Sequence, residues 1–169
     1  MPDLIIIGGC PGSGKSTLGK RLQKRFNWPF IDFARLREFH LDPDWKTATD
    51  EEEQMSFESV IFLIKNYLKN GYSNVMVTDL RENRIEELTQ IFKDIDFRIF
   101  SLILHDDEEI KRRVLTEERE SGYRNYEAAI MWNKNLQARN AFPQEIKIDN
   151  TLNQPEDTLE DIVKHLGLD

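Results

Sequence analysis

The 169-residue chain carries 31 acidic and 23 basic side chains, which gives a formal net charge of −8. A general nucleic-acid binder needs a basic surface to neutralise phosphates, so the acidic balance makes nucleic acid an unlikely partner. Hydrophobic residues make up 39% of the chain and charged residues 32%, which is ordinary for a folded globular protein. The length suits one domain that covers residues 1–169.

The chain shows no signal for a membrane or an oxidising compartment. Its apolar N-terminal stretch, residues 4–7, is far too short to span a bilayer, and no signal peptide is readable. The single cysteine, Cys10, cannot form an internal disulfide. We therefore expect a cytoplasmic monomer or homodimer without a membrane partner.

Apolar runs alternate with amphipathic stretches along the chain, a pattern typical of βα units that build a parallel sheet. Strands are predicted at residues 4–8, 28–32, 74–79, 97–104 and 145–149. Helical spacing predicts helices between the strands and a last helix after Pro155. Thr49 and Glu52 predict a capping box at the start of a long helix. Five strands with intervening helices predict an α/β domain of three layers.

Residues 9–16 read Gly-Cys-Pro-Gly-Ser-Gly-Lys-Ser and fit the phosphate-binding pattern G-x-x-x-x-G-K-[ST]. We call this segment the phosphate loop. It follows an apolar strand and opens an amphipathic helix, so its backbone N–H groups can converge on phosphate oxygens at the helix N-terminus. The residues predicted to bind a nucleotide here are Gly9, Pro11, Gly12, Ser13, Gly14, Lys15, Ser16 and Thr17.

Two side chains of the phosphate loop carry chemistry. Lys15 is long enough to reach the β- and γ-phosphates and is a predicted catalytic residue. The Ser16 hydroxyl is a predicted ligand of Mg²⁺. The alternative interpretation is a structural glycine-rich turn that happens to contain Lys-Ser. Cys10 is interpreted as a small loop residue rather than a reactive thiolate.

Carboxylates follow two of the predicted strands. Ligands of open α/β sheets bind beyond the carboxyl ends of the strands, where Asp32 and Asp79 stand. Phosphoryl transfer uses one carboxylate near the magnesium ion and one that deprotonates the acceptor hydroxyl, and either residue suits either role. We assign Asp79 to the metal, because it follows an apolar strand as a Walker B acid does, and Asp32 to the acceptor and to base catalysis. The alternative for each is a helix N-cap.

Two arginines are predicted to bind the acceptor. Arg81, two residues after Asp79, is predicted to clamp an anionic group together with Arg35, or else to form a salt bridge with Glu82 or Glu86.

A polar segment at about residues 117–126 contains Gly122 and is predicted to be a lid that closes over ATP. Arg119, a predicted catalytic residue, and Arg124 flank that glycine and are predicted to contact ATP, and Arg113 is predicted to stack on the adenine. The alternative is an ordinary charged helix with pairs at i,i+4 spacing.

These residues resemble the small P-loop kinases related to shikimate kinase, gluconate kinase, nucleoside monophosphate kinases and the 5′-hydroxyl polynucleotide kinase domain, which are AAA-type P-loop ATP-binding proteins. The resemblance spans nearly the whole chain. It includes the phosphate loop, the strand-end acids, the arginine-rich residues 113–124 and residues 148–151 before the last helix. It implies a five-stranded parallel sheet in the order 2-3-1-4-5, MgATP as donor, a lid, and an acceptor-binding region at about residues 33–70.

The sequence also departs from each of these enzymes. Shikimate kinases show Asp-x-Asp after the second strand, whereas Phe33 and Ala34 follow Asp32 here. Nucleoside monophosphate kinases show Asp-Gly-x-Pro-Arg, whereas residues 79–81 form a shorter Asp-x-Arg. The expected activity is transfer of the γ-phosphoryl of MgATP to a hydroxyl or phosphate of a small metabolite or nucleotide. The alternatives are a nucleotide-binding regulatory ATPase or switch, and a 5′-hydroxyl polynucleotide kinase.

Overall fold

The computed structural model describes residues 1–117 and 122–168. The strands are β1 (Leu4–Gly9), β2 (Phe30–Asp32), β3 (Val75–Thr78), β4 (Phe97–Ile103) and β5 (Glu145–Asp149). The helices are α1 (Lys15–Phe26), α2 (Phe33–Arg37), α3 (Asp50–Lys69), α4 (Glu82–Ile91), α5 (Asp107–Leu115), α6 (Tyr126–Ala138) and α7 (Pro155–His165). None of the helices within these described ranges is both long enough and apolar enough to cross a bilayer.

The five strands form one parallel sheet in the order β2-β3-β1-β4-β5, which confirms the expected topology. The central strand is β1, whose residue Leu4 lies opposite both Val75 of β3 and Phe97 of β4. The strands β3 and β2 lie on one side of β1, and β4 and β5 lie on the other. The loop after β1 therefore lies at the switch point of the sheet, where α/β proteins bind their ligands.

Alternate residues of the strands are buried on opposite faces of the sheet, as the two-residue period of a strand requires. Leu4 and Ile6 pack with the apolar residues of α3 and α4. Ile5 and Ile7 pack with those of α1 and α7. Because the sheet is covered on both faces, its central strands read as continuous apolar runs rather than as alternating ones. The predicted three-layer architecture is confirmed.

Helix α2 was not predicted, because five residues are too few to show a helical period. It begins directly after β2 at Phe33, so Asp32 occupies its N-cap position. The second strand is also shorter than predicted and begins at Phe30. Trp28 precedes it and stacks on Phe26, with 4.5 Å between the ring centroids.

The predicted capping box of α3 is only half right. The Thr49 hydroxyl accepts a hydrogen bond from the Glu52 backbone N–H at 3.0 Å, as expected. The Glu52 carboxylate does not reach back to the N-cap. It accepts hydrogen bonds from Arg37 Nη2 at 2.6 Å and from Ser56 Oγ at 2.9 Å. Glu52 is a buried residue, and a buried carboxylate needs a cationic partner more than a helix terminus does.

Candidate active site

The phosphate loop keeps a backbone shape that side chains would prevent. Gly12 and Gly14 have φ angles of 86° and 100°, in the left-handed region that favours glycine. A Cβ atom at Gly12 would also lie 3.1 Å from Cγ2 of Val114 in α5. Helix α1 begins at Lys15, and the backbone N–H of Leu18 donates to the Gly14 carbonyl. The N–H groups of the preceding helical residues have no acceptor within the helix and are available to an anion.

Lys15 lies inside the loop with only 5% of its surface exposed. Its Nζ donates a hydrogen bond to the Cys10 carbonyl at 3.0 Å and lies 3.4 Å from Oδ1 of Asp79. Asp79 has a φ of 66°, a conformation that costs energy for a residue with a side chain. This conformation occurs directly after β3, where it accompanies the ion pair between the carboxylate and the loop lysine.

Asp32 lies beside the loop serine. Ser16 Oγ donates a hydrogen bond to Asp32 Oδ2 at 3.0 Å. Burial and the negative charge of Asp79 raise the pKa of Asp32, against the lowering effects of the Ser16 hydrogen bond and the Arg35 charge. The Oδ1 atom of Asp32 is buried, and no hydrogen-bond partner for it exists among the described residues. Asp32 therefore combines a raised affinity for a proton with an unused acceptor atom.

One cleft of about 1520 Å³ brings most of the predicted residues together. The predicted residues that line it are Pro11, Gly12, Gly14, Lys15, Ser16, Thr17, Asp32, Arg35, Asp79, Arg81 and Arg113. Gly9 and Ser13 are buried within the loop and do not line the cleft. Arg124 is not part of the lining and donates a hydrogen bond to the Tyr123 carbonyl. Arg119 lies outside the described residues.

Arg113 contacts both its own helix and the loop after β5. Its Nε donates to Glu109 Oε1 at 2.6 Å, and its Nη2 donates to the Thr151 carbonyl at 2.9 Å. Hydrogen bonds from Arg112 and Arg113 lower the pKa of Glu109 to about 2 despite its partial burial. The helical ion pairs of the alternative interpretation are thus present. They coexist with the placement of Arg113 at the wall of the cleft.

Arg81 lines the same cleft and makes no ion pair with any residue in the described ranges. The alternative salt bridge to Glu82 is not formed, because that carboxylate pairs with Arg139. Arg81 and Glu53 also line a smaller cavity of about 470 Å³ that adjoins the cleft.

Sequence reasoning assigned no role to Arg37 or to the Asn150 side chain, both of which line the cleft. The Arg37 guanidinium lies 4.9 Å from the centroid of the Trp45 ring and also binds Glu52. The only local signal for Arg37 was its position five residues after Asp32. The Asn150 side chain binds the phosphate loop across 137 residues of chain, so no sequence spacing could have indicated it.

The raised pKa of Asp32 predicts that its charge destabilises the fold at neutral pH. A carboxyl whose pKa is higher in the folded than in the unfolded state favours folding when protonated, and this contribution is lost as pH rises through the folded pKa. We therefore expect Asp32→Asn to raise the Tm at pH 7.5 and to lose this advantage near pH 4. Thermal melts at several pH values test this, with Asp161→Asn on the exposed face of α7 as the control. A gain in Tm that is equal at all pH values would contradict the explanation.

The fold and the site define a P-loop protein with the architecture of the small P-loop kinases. Residues 5–132 match the family model described as an AAA domain, and the chain belongs to this family. The chain is 24% identical over 160 residues to a protein of Pyrococcus abyssi (strain GE5 / Orsay) named “Putative adenylate kinase”. That alignment covers 95% of this chain and 82% of the relative.

Solved structures of kinases share the whole fold. A gluconokinase from Sinorhizobium meliloti 1021 superposes with a TM-score of 0.70 at 15% identity, covering 98% of this chain and 92% of that one. A shikimate kinase from Bacteroides thetaiotaomicron gives a TM-score of 0.65 at 18% identity, covering 99% of this chain and 100% of that one. At such identities the likeness establishes the fold, and it agrees with the resemblance drawn from the motifs.

Proposed function

We propose that this protein is an ATP-dependent phosphotransferase that moves the γ-phosphoryl group of MgATP to a hydroxyl or phosphate of a small metabolite or nucleotide. The observation that supports it most directly is that the phosphate loop, Asp32 and Asp79 meet in one cleft. In the reaction a bond forms between the acceptor oxygen and the γ-phosphorus. The bond from that phosphorus to the β–γ bridging oxygen breaks, and ADP leaves. When the acceptor is a hydroxyl, its proton passes to Asp32.

The loop side of the cleft suits the donor. The N–H groups at the start of α1 offer hydrogen bonds to phosphate oxygens, and Lys15 supplies a positive charge beside them. Ser16 and Asp79 are the proposed ligands of Mg²⁺. The buried Oδ1 atom of Asp32 beside them has no partner among the described residues and can accept a hydrogen bond from a bound ligand. When bound, magnesium would neutralise part of the phosphate charge.

The cleft also suits an acceptor with an anionic group. Arg81 and Arg35 line it, and the proposed acceptor region at residues 33–70 contains α2 and α3. The raised pKa of Asp32 suits a general base, because a base works best when its pKa approaches the ambient pH. Its carboxylate would remove the acceptor proton while the arginines orient the acceptor.

Residues 117–126 are the proposed lid. Gly122 and Tyr123, which belong to this segment, line the cleft. Closure of such a segment would exclude water, which otherwise competes with the acceptor for the γ-phosphoryl. Arg119 and Arg124 are proposed to approach the phosphates on closure, and Arg113 is proposed to contact the adenine.

Calorimetry with MgATP, followed by a screen of acceptors that carry hydroxyl or phosphate groups, tests the proposal. We expect MgATP binding, and ADP formation that increases strongly with the right acceptor. Binding without stimulation by any acceptor would instead indicate a regulatory ATPase or switch. Transfer of label to a 5′-hydroxyl oligonucleotide would indicate a polynucleotide kinase. Absence of any affinity for MgATP would overturn the proposal.

Replacement of Arg81 by methionine is expected to raise the KM for an anionic acceptor by roughly 10- to 100-fold, since a hydrogen bond to a charged group contributes about 1.5–3 kcal/mol. The KM for MgATP should change far less. Arg98→Met is the matched control, because Arg98 lies near the amino end of β4 and pairs with Asp96. Steady-state kinetics with both substrates varied measures the effect. Equal changes in the two KM values would contradict the assignment.

A further inference from the structure

The Asn150 side chain connects the loop after β5 to the phosphate loop. Asn150 is buried, and its backbone N–H donates to the Ile103 carbonyl at 2.8 Å, which extends the β4–β5 ladder by one residue. Its Nδ2 donates a hydrogen bond to the Ser13 carbonyl at 2.7 Å. Its Oδ1 accepts a hydrogen bond from the Thr158 hydroxyl in α7. The Ser13 contact fixes the orientation of the amide, because a flipped amide would place an oxygen against the Ser13 carbonyl.

The Ser13 carbonyl that binds Asn150 belongs to the peptide unit between Ser13 and Gly14. In a trans peptide the C=O and N–H groups point in opposite directions. Since Asn150 holds the Ser13 carbonyl, the Gly14 N–H points away from Asn150, and Gly14 lines the cleft. A Cβ atom at Gly14 would lie 3.2 Å from Asn150 Nδ2, so glycine also permits the close approach. If this peptide turned over, it would present a carbonyl oxygen to the phosphates and repel them.

We propose that Asn150 is a positioning residue that holds the Ser13–Gly14 peptide in its phosphate-binding orientation. The proposal rests on the proposed function, because it takes the ligand of the loop to be a polyphosphate. The next residue, Thr151, accepts the hydrogen bond from Arg113 through its carbonyl. The loop after β5 thus sets both the orientation of a phosphate-binding N–H group and the position of an arginine at the cleft wall.

Magnesium tripolyphosphate is the appropriate probe, because it contacts the phosphate loop without a base or a sugar. Asn150→Leu keeps the shape of the side chain and removes its hydrogen bonds. Thr158→Val is the matched control, since it removes the bond on the other side of the Asn150 amide and leaves the Ser13 contact possible. Calorimetry is expected to show an affinity about 10-fold or more weaker for Asn150→Leu, and within about 3-fold of wild type for Thr158→Val.

Should Asn150→Leu fail to fold, Asn150→Asp and Asn153→Asp decide the question. Both add one negative charge at the cleft, but only the first removes the donor to Ser13. Much weaker binding for Asn150→Asp alone supports the proposal. Unchanged binding for the Asn150 variants, or equal loss for their controls, overturns it. If wild-type protein binds neither tripolyphosphate nor MgATP, the proposed function itself fails, which is a different result.

Discussion

Lys15→Ala is expected to reduce the rate of phosphotransfer by a factor of roughly 10³ or more, because in the proposed function the lysine supplies positive charge beside the transferred group. Lys15 is buried within the loop, so water and mobile cations replace its charge poorly. The affinity for MgATP should also fall. ADP release with the acceptor identified by screening measures the rate, and calorimetry measures the affinity.

The control for this variant is Lys24→Ala, which removes the same charge from an exposed position of the same helix. Its rate should stay close to that of the wild type. The Lys15 variant must also melt cooperatively, because its amino group binds the Cys10 carbonyl within the loop. A folded Lys15→Ala protein that kept a tenth of the wild-type rate would exclude the proposed role of the phosphate loop in catalysis.

Asp32→Asn is expected to lower kcat by roughly 10²- to 10⁴-fold, the range that general base catalysis contributes. Its affinity for MgATP should change only a few-fold, because the asparagine amide still offers Ser16 an oxygen acceptor. Single-turnover measurements of the transfer step separate this effect from product release. A comparable loss in both kcat and nucleotide affinity would instead place Asp32 with the metal.

The pH dependence of the wild-type enzyme follows from the same carboxyl. A general base is active when ionised, so kcat/KM should fall as pH decreases through the pKa of Asp32. Because burial and Asp79 raise that pKa, the fall should begin at a higher pH than the ordinary aspartate value of 3.8 would give. The residual activity of Asp32→Asn should lack this acidic limb. An identical acidic limb in the variant would assign it to another group.

Much of the fold could be predicted because its signals are local. The apolar run of β1, the glycines and the start of α1 are adjacent in sequence, so the pattern and its structural context could be checked together. The strand β5 was predicted with its observed bounds, Glu145–Asp149. Asp32 and Asp79 were expected at one edge of the sheet because parallel strands present their carboxyl ends there. Their confirmed position in one cleft follows from topology alone.

Side-chain partners could not be predicted in the same way. The hydrogen bond of the Ser16 hydroxyl to Asp32 and the ion pair of the Asp79 carboxylate with Lys15 were not predicted. Glu52 binds Arg37 instead of its own N-cap. Each choice depends on which groups are desolvated together after packing. Local sequence patterns do not indicate which groups are buried together.

The close packing of Gly12 against Val114 has a mechanical consequence. Helix α5 lies close to the phosphate loop at Gly12, and the proposed lid begins two residues after this helix ends. A change in the shape of the loop when ATP enters would therefore push on the base of the lid. In the proposed function, arrival of the donor and closure of the cleft would then be two parts of one movement, transmitted through the packing of α5 against the loop.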